Sequence, residues 1–280
     1  MAKVFLNDRI VEAADAHIAC NDSGLLYGMG LFETMRCRKR RVFRLDDHLD
    51  RLFAGAEALA VNNIYDRPCI TDAIDKLLQA NGLDQARLRL TLTNGPIGEG
   101  ASPQPTLLIT ATEFTPYPAE YYEKGVRVIL TEARQNPTDP LSGHKSTCYA
   151  PRLMVLEEAR KKLATEALWF TTDNRLAEGC ISNVFLVKDG VVYTPDLSAG
   201  ILPGIARKTV IELAETDSIE LAEKDLAIND LLGADEIFLT NTIMLILPVV
   251  AVEAHTVGNG KPGELTKRLI KCFEKVVSEQ

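Results

Sequence analysis

From Val126 onward, short apolar stretches alternate with longer stretches whose apolar residues recur at the spacing of one helix face. Short apolar stretches predict buried strands, and the recurring spacing predicts amphipathic helices. The predicted strands are 126–131, 167–171, 184–188 and 236–240, and the predicted helices are 149–163, 205–214 and 264–277. Alternating strands and helices are typical of an α/β fold, which we predict for the second half of the chain.

The first half contains a strictly alternating strand, Arg87–Thr93. Its leucines fall on one face, while Arg87, Arg89, Thr91 and Thr93 fall on the other. That polar face either meets solvent or lines a polar cavity. Other strands are predicted at 3–6, 9–12 and 106–112, helices at 46–60 and 70–78, and a loop rich in glycine and proline at 94–105.

The stretch Phe114–Pro118 contains two prolines and has the composition of an interdomain linker. We therefore predict two domains, which a chain of 280 residues can supply with separate cores. Residues 1–115 form a smaller N-terminal α/β domain, residues 116–121 the linker, and residues 122–280 a larger C-terminal domain.

The charge distribution argues against nucleic acid as a partner, because phosphate contacts need clustered Lys and Arg and the net charge is −8. The short basic run Arg36–Arg41 predicts a solvated hairpin, although it could also attract an anionic substrate. The N-terminus lacks the apolar core of a signal peptide, and no apolar stretch approaches the roughly 18 residues of a membrane span. We therefore expect a cytoplasmic protein that does not bind membranes.

The cysteines and histidines are dispersed along the chain. The six cysteines stand at positions 20, 37, 69, 148, 180 and 272, without a C-x-x-C pair. This spacing fits reduced cytosolic thiols better than a disulfide framework. The four histidines are equally scattered, so we predict no structural metal.

Six short motifs follow one another along the chain: Tyr27–Thr34, His48–Leu52, Lys145 with Tyr149, Glu178–Phe185, Leu202–Ile205 and Thr240–Thr242. The first contains closely spaced glycines but lacks the strand–G-x-G-x-x-G–helix order of a dinucleotide site, so composition alone predicts a loop that leads into a buried strand. Each motif is weak by itself. In this order, and over about residues 5–273, they resemble the class IV aminotransferase family, the fold-type IV enzymes that use pyridoxal phosphate.

The resemblance implies a role for each matching residue. Lys145 matches the Schiff-base lysine, which reacts only as the neutral amine and so needs a site that lowers its pKa. Glu178 matches the carboxylate that keeps the pyridine nitrogen protonated. Arg51 matches the arginine that binds the cofactor phosphate, although helical spacing alone predicts a surface arginine. The other predicted cofactor-binding residues are Tyr149, Ser182, Asn183, Leu202, Gly204, Ile205, Ala206 and Thr242.

The helix that begins after Gly204 is expected to present the N–H groups of Ile205 and Ala206 to the phosphate. Many relatives have threonine where this chain has Ala206, so we expect somewhat weaker cofactor binding. By the same resemblance, the chain is a homodimer of two α/β domains with the active site between them, acting on a small amino substrate. The predicted substrate residues are Tyr27, Thr34, Arg36, Arg87, Arg89 and Ile243.

The reaction is harder to predict than the family. D-amino-acid aminotransferases resemble Thr-Arg-Gly where this chain has Thr93–Gly95, and Asn94 cannot form the charge pair of that arginine. The stretches Gly30–Arg36 and Thr240–Val249 look most like those of 4-amino-4-deoxychorismate lyases, so our first expectation is elimination of pyruvate to give 4-aminobenzoate for folate synthesis. The alternative is a class IV transaminase for branched-chain or D-amino acids. A binding protein without activity would need an impaired site, yet Lys145 and Glu178 are both present.

Overall fold

The structure is a computed structural model, and it describes residues 2–98 and 104–279. Part of the loop predicted at 94–105 lies outside these residues. The chain divides into two compact units, Met1–Thr115 with His144–Tyr149, and Pro116–Gly143 with Ala150–Gln280. The predicted linker at 116–121 belongs to the second unit, and a helix begins inside it. The return of residues 144–149 to the first unit is not visible in the sequence.

The first unit is a mostly antiparallel α/β structure. Among its described residues, six strands form one sheet in the order β2-β1-β6-β5-β3-β4, with every pair antiparallel. The strands are β1 (Lys3–Leu6), β2 (Arg9–Glu12), β3 (Gly30–Arg38), β4 (Arg41–Val42), β5 (Gln85–Thr93) and β6 (Thr106–Glu113). The helices are α1 (Ser23–Tyr27), α2 (Leu45–Ala58) and α3 (Arg67–Asn81).

The core of the first unit lies between one face of this sheet and helices α2 and α3. The predicted alternation in β5 is found, because Leu88, Leu90 and Leu92 are buried in that core while Arg87 is exposed and Arg89 is half-buried. The predicted loop before residue 30 leads into β3, which is buried over most of its length. The core face of β3 also carries a glutamate, Glu33, which no apolar pattern predicts.

The second unit is built on a mixed sheet, in which the described strands follow the order β12-β11-β10-β13-β14-β7-β8-β9, with β15 paired to β14. The strands are β7 (Val126–Gln135), β8 (Glu166–Thr171), β9 (Leu176–Gly179), β10 (Asn183–Lys188), β11 (Val191–Pro195), β12 (Leu221–Lys224), β13 (Glu236–Asn241), β14 (Leu245–Val252) and β15 (His255–Thr256). The helices are α4 (Ala119–Lys124), α5 (Ala150–Lys161), α6 (Ile205–Thr216), α7 (Ile228–Leu232) and α8 (Glu264–Glu279).

Both faces of this mixed sheet are covered. Strand β8 is buried at every position, and its neighbouring residues contribute to two apolar clusters: Leu168 and Phe170 to one, Ala167 and Trp169 to the other. Strands buried on both faces have continuous apolar runs, and this explains why the short runs of the second half predict them. Parallel pairs join β7 to β8 and to β14, as expected where helices connect strands.

The described residues contain no helix long and apolar enough to span a lipid bilayer. In residues 2–98 and 104–279, His, Cys, Asp and Glu side chains form no group of three or more that could hold a metal ion. All six cysteines have free thiols, and Cys37 and Cys180 are buried. Burial raises the pKa of the Cys180 thiol to about 12, so this thiol stays protonated in the core and is not a nucleophile.

Candidate active site

Lys145 lies on an extended stretch that pairs with the start of β3. The Phe32 N–H donates to the Lys145 carbonyl at 2.9 Å, and the Thr147 N–H donates to the Gly30 carbonyl at 2.9 Å. These backbone bonds explain why residues 144–149 belong to the first unit, although the chain on either side belongs to the second. They also fix where the lysine side chain starts.

The side chain of Lys145 lies against aromatic rings. Its Nζ is 4.6 Å from the centroid of the Phe32 ring and 5.9 Å from that of the Tyr149 ring. The two rings meet edge to face at 5.2 Å between centroids. Such rings shield an amine from water while offering it the weak attraction of their π faces.

Arg89 stacks on the same Phe32 ring, with its Cζ 3.4 Å from the ring centroid. Burial, aided by the positive charge of Arg87, lowers the pKa of Arg89 to about 10. No carboxylate among the described residues forms a hydrogen bond or ion pair with Arg89. Half-buried cations are usually paired, so a stacked and unpaired guanidinium beside a lysine is suited to binding an anion.

Arg51 belongs to a buried cluster on the opposite face of β3. Helix α2 carries His48 and Arg51 one turn apart, and both point at Glu33. Arg51 Nε donates to Glu33 Oε1 at 2.8 Å and Nη2 donates to Oε2 at 2.6 Å, while His48 Nδ1 lies 2.7 Å from Oε2. Only 11% of the Arg51 side chain is exposed, so the surface position that helical spacing predicts is wrong.

The charges of this cluster follow from its burial. Burial alone would raise the pKa of Glu33, but Arg51 and His48 outweigh it and lower the pKa to about 2. Burial lowers the pKa of His48 more than Glu33 raises it, so the imidazole is neutral and donates from Nδ1. Its Nε2 is buried and finds no hydrogen-bond partner within the described residues. The glutamate therefore holds the Arg51 guanidinium in a fixed plane by two bonds.

Glu178, near the end of β9, is 5% exposed and accepts three hydrogen bonds. Arg152 Nη2 donates to Oε1 at 2.6 Å, while the Leu202 N–H and Asn183 Nδ2 donate to Oε2 at 3.0 and 3.3 Å. A carboxylate has about four acceptor positions, so one remains on Oε1. The remaining position suits one more N–H donor, such as a protonated pyridine nitrogen.

Arg152, on the first turn of α5, ties Glu178 to its surroundings. Its Nη1 donates to the Gly179 carbonyl at 2.8 Å, and its Nη2 donates to Gln135 Oε1 at 2.9 Å. Gln135 in turn donates to the Gly200 carbonyl. The guanidinium also lies 5.4 Å from the Trp169 ring centroid. The loop before α6, the end of β9 and the first turn of α5 are thus joined around one carboxylate.

The start of α6 has the properties of an anion site. Its cap residue is Gly204, and within the described residues no side chain caps it. The first N–H groups of a helix have no partner inside the helix, so those of Ile205 and Ala206 are available to a phosphate. A Cβ at Gly204 would collide with the amide oxygen of Asn183, which explains the glycine.

Thr242 lies in the turn between β13 and β14 and is buried. The turn is held by Asn241, whose Oδ1 accepts the N–H groups of Ile243 and Met244 at 2.9 Å each. The Thr240 hydroxyl, on the preceding strand, is buried and has no partner among the described residues. Together with the α6 start, this turn supplies the hydroxyl and N–H donors that a phosphate needs, so the residues present fit the predicted cofactor.

Several of the predicted cofactor-binding and substrate residues have other contacts or lie at exposed positions. Ser182 donates from its hydroxyl to Glu166 Oε1 at 3.3 Å, so that group already has an acceptor. Arg36 stacks on Phe114 at 4.3 Å. Tyr27 is 65% exposed at the end of α1. The remaining predicted substrate residues are Thr34, half-buried opposite Arg89 in the sheet, Arg87, which is exposed, and Ile243, which is half-buried in its turn.

Residues 30–252 of the chain match the family described as amino-transferase class IV. The chain belongs to the class IV aminotransferase family. It is 34% identical to the putative branched-chain-amino-acid aminotransferase of Methanocaldococcus jannaschii over 279 residues, 98% of this chain and 96% of that protein. It is 31% identical to the aminodeoxychorismate lyase of Bacillus subtilis over 280 residues, 98% and 94% of the two chains.

A solved structure in the same family gives the fold. It is a T.th. branched-chain amino acid aminotransferase with pyridoxamine 5'-phosphate, which superposes with a TM-score of 0.92 at 26% identity, covering 100% of this chain and 95% of that one. The predictions of the family, of an enzyme and of a fold-type IV architecture with two mixed α/β domains are confirmed. An aminotransferase and a lyase are similarly identical to this chain, at 34% and 31%, so the comparisons do not favour the lyase.

Sequence reasoning missed three of these residues. Glu33 had a usable signal, because it interrupts the apolar alternation of Leu31, Met35 and Cys37, and a charge there needs a partner. Arg152 and Gln135 had none, because an arginine on a helix and a glutamine at a strand end are ordinary surface residues. Their partners are known only from the folded second unit.

Proposed function

We propose that this chain is an aminotransferase that moves an amino group between a branched-chain amino acid and a 2-oxo acid. The observation that carries the proposal is the surroundings of Lys145, where two aromatic rings and one stacked guanidinium, Arg89, are grouped. One cation suits one substrate carboxylate, and the rings of Phe32 and Tyr149 suit an apolar side chain. The relative in Methanocaldococcus jannaschii, named as a putative branched-chain aminotransferase, supports this choice.

Pyridoxal 5'-phosphate is the cofactor. When bound, it supplies an aldehyde that reacts with amines and a ring that accepts the electron pair left on the substrate's α-carbon. In our proposal Glu178 accepts a hydrogen bond at Oε1 from the protonated ring nitrogen. Arg51 and Thr242, with the N–H groups of Ile205 and Ala206, hold the phosphate.

Lys145 Nζ is the proposed base. It removes the proton from the substrate's α-carbon and carries it while the amino group is transferred. In our proposal the rings of Phe32 and Tyr149, with centroids 4.6 and 5.9 Å from Nζ, limit the contact of Nζ with water between removal and return of the proton. Elimination of pyruvate would begin with the same proton removal and differ in the bond that breaks afterwards.

Arg89 is the proposed carboxylate-binding residue. Its guanidinium is held flat on Phe32, so a bidentate pair with a carboxylate would cost little ordering of the side chain. Arg87 and Arg36 lie further along the same face of the sheet and come second. Asn94 is less suited, because its Oδ1 accepts the Asn62 N–H at 2.8 Å and it carries no charge. This argues against a typical D-amino-acid enzyme.

Aminodeoxychorismate lyase is the second candidate. The observation that favours it is the row of three arginines, Arg36, Arg87 and Arg89, on one face of the first sheet, since a substrate with two carboxylates would use more than one. The Bacillus subtilis relative also supports it. It ranks second because Arg87 is exposed and because the relative of higher identity is named as a branched-chain aminotransferase.

We also propose a homodimer. Leu25, Leu26 and Tyr27 of α1 are 68%, 49% and 65% exposed, which is unusual for neighbouring large apolar residues. Contact with a second copy of the chain would cover them. Light scattering coupled to gel filtration measures the mass in solution, and a mass of one chain would contradict the proposal.

The proposed function is tested by single half-reactions. The purified protein is saturated with pyridoxal 5'-phosphate, mixed with L-leucine, L-glutamate or D-alanine, and followed by its visible absorption. We expect L-leucine to bleach the visible band within seconds, because amino transfer to the cofactor removes the chromophore. Loss of the band with D-alanine alone would contradict the branched-chain proposal.

Two controls separate the candidates. The variant Lys145→Ala should lack the visible band of the lysine-bound cofactor, so a retained band would contradict its assignment. The same preparation is given aminodeoxychorismate and assayed for 4-aminobenzoate and pyruvate. Formation of both products without bleaching by any amino acid would establish the lyase instead.

A further inference from the structure

We propose that Arg152 is a positioning residue that shares Glu178 Oε1 with the cofactor's ring nitrogen and weakens that nitrogen's hold on its proton. The inference rests on the proposed function, in which Glu178 faces the ring nitrogen. It adds a residue that no motif of the chain marks. Its basis is the distribution of donors around one nearly buried carboxylate.

The donors around Glu178 are distributed unequally between its two oxygens. Oε2 accepts two hydrogen bonds, from the Leu202 N–H and from Asn183, and is saturated. Oε1 accepts one, from Arg152 at 2.6 Å. The described residues leave one acceptor position, and it lies on the oxygen that the guanidinium already binds. A ring N–H that uses this carboxylate therefore shares Oε1 with a permanent cation.

The guanidinium of Arg152 is held in place by several contacts. Arg152 cannot move aside easily, because it also donates to the Gly179 carbonyl at 2.8 Å and to Gln135 at 2.9 Å. Its position over Trp169 adds a further contact. Only 21% of the Arg152 side chain and 6% of the Glu178 side chain are exposed, so water screens the pair poorly.

The charge of Arg152 lowers the affinity of the ring nitrogen for its proton. A guanidinium that bonds to Oε1 takes up part of the negative charge that would otherwise stabilise a pyridinium. With Arg152 in place, the ring nitrogen loses its proton at a lower pH than it would beside an unpaired glutamate. Removing the cation must therefore strengthen protonation of the ring.

The test measures the proton directly. Pyridoxal 5'-phosphate labelled with 15N in the ring is bound to the wild type and to variants, and the ring-nitrogen signal is followed by 15N NMR against pH. In Arg152→Gln we expect the midpoint of ring protonation to rise by about one pH unit. Arg152→Lys keeps the charge but cannot keep all three bonds, so its midpoint should lie between the other two.

A matched control comes from Arg175 in the same unit, which pairs with Asp173 and Asp225 and contacts Ser198 but not Glu178. Arg175→Gln should leave the midpoint unchanged. If Arg152→Gln folds poorly, the shift in Arg152→Lys still decides. Midpoints in both Arg152 variants at or below that of the wild type would overturn the proposal.

Glu178→Gln separates this failure from that of the proposed function. If Glu178→Gln lowers the midpoint while both Arg152 variants match the wild type, Glu178 faces the ring and Arg152 has no influence on it. If Glu178→Gln changes nothing, the assignment of Glu178 is wrong and the inference falls with it. A wild type that binds no pyridoxal 5'-phosphate would refute both.

Discussion

Two strands carry a fully buried glutamate, and the pKa values of the two carboxyl groups are shifted in opposite directions. Glu33 in β3 is 0% exposed, and its pKa is lowered from the ordinary 4.5 to about 2. Glu166 in β8 is 2% exposed, and burial raises its pKa from 4.5 to about 7. Both lose the same hydration, so burial alone does not explain the difference.

The difference between the two pKa values comes from the hydrogen-bond donors around each carboxyl group. Glu33 is bonded twice by Arg51, a permanent cation, and once by His48. Glu166 accepts from neutral donors, which include the Ile181 N–H at 2.8 Å and the Ser182 hydroxyl at 3.3 Å, while the charge of Arg152 also acts on it. Neutral donors offset part of the lost hydration, whereas a bidentate guanidinium offsets more than all of it. A buried carboxylate that must stay charged therefore needs its own cation.

The largest effect should come from removing that cation. Arg51→Met leaves Glu33 charged and buried without a counter-ion, and breaking such a pair costs about 3–5 kcal/mol of unfolding free energy. The loss should be smaller at pH 5 than at pH 8, because the unpaired Glu33 then takes up a proton. Urea unfolding without cofactor, at both pH values, measures it.

Arg175→Met is the control for this prediction. It likewise removes an arginine that makes two ion pairs. These pairs are with Asp173 and Asp225, whose side chains are 57% and 64% exposed. Exposed pairs contribute less than about 1 kcal/mol. If Arg51→Met lost no more unfolding free energy than Arg175→Met at pH 8, Glu33 would not depend on its buried cation.

An intermediate effect concerns the sign of the pH dependence. Glu166 holds its proton up to about pH 7 in the folded chain but loses it near 4.5 when unfolded, so its contribution to stability is full below 4.5 and is lost as the pH rises to about 7. Glu166→Gln removes this loss. Its stability relative to the wild type should therefore rise between pH 4.5 and 7, by roughly 1–3 kcal/mol.

Glu33 should behave in the opposite sense. Its stabilisation is present above pH 4.5 and is lost as the pH falls through about 2.

The control for Glu166→Gln is Glu158→Gln, which changes an exposed partner of Lys162 and should show no rise in relative stability between pH 4.5 and 7. A flat difference between Glu166→Gln and the wild type from pH 4.5 to 7 would mean that Glu166 is ionised in the folded protein.

The sequence predicts the parts of the fold that local periodicity determines. The leucine face of β5 and the helix beginning at Ile205 follow from spacing that each element carries within itself. Strand β14 is missing from the predicted strands, and it contains Pro248, which cannot donate to a ladder. In the structure Pro248 lies opposite Phe238 in an antiparallel pair, and the burial of the flanking residues outweighs the missing donor.

The residues of the candidate site also divide into those that a local sequence pattern marks and those that it does not. Lys145, Glu178 and Arg51 are found because they stand in motifs that resemble a family, and their roles remain proposals. Their partners depend on contacts between distant parts of the chain, such as Arg152 with Glu178, which are 26 residues apart. Such pairs leave no period in a single sequence, so only the interrupted alternation at Glu33 could have been read in advance.

The smallest effect tests where the Ser182 hydroxyl is used. Ser182→Ala removes one long hydrogen bond from Glu166 and leaves the Ile181 N–H in place. We expect a loss of about 0.5 kcal/mol at pH 5, where Glu166 is protonated, and about 1 kcal/mol at pH 8, where the lost donor faced a charge. The pKa of Glu166 should rise further, so the stability lost with rising pH should extend to higher pH.

Cofactor affinity decides between the two roles of this serine. If its hydroxyl serves Glu166, equilibrium dialysis should find the affinity of Ser182→Ala for pyridoxal 5'-phosphate within about twofold of the wild type, since a factor of two is well under 1 kcal/mol. If the affinity falls tenfold while the stability at pH 5 and pH 8 is unchanged, the hydroxyl serves the cofactor instead. In that case the main-chain N–H groups of Ile181 and Cys180 support Glu166 without the hydroxyl. The contrast with Glu33 then becomes sharper, because fewer neutral donors oppose a bidentate cation.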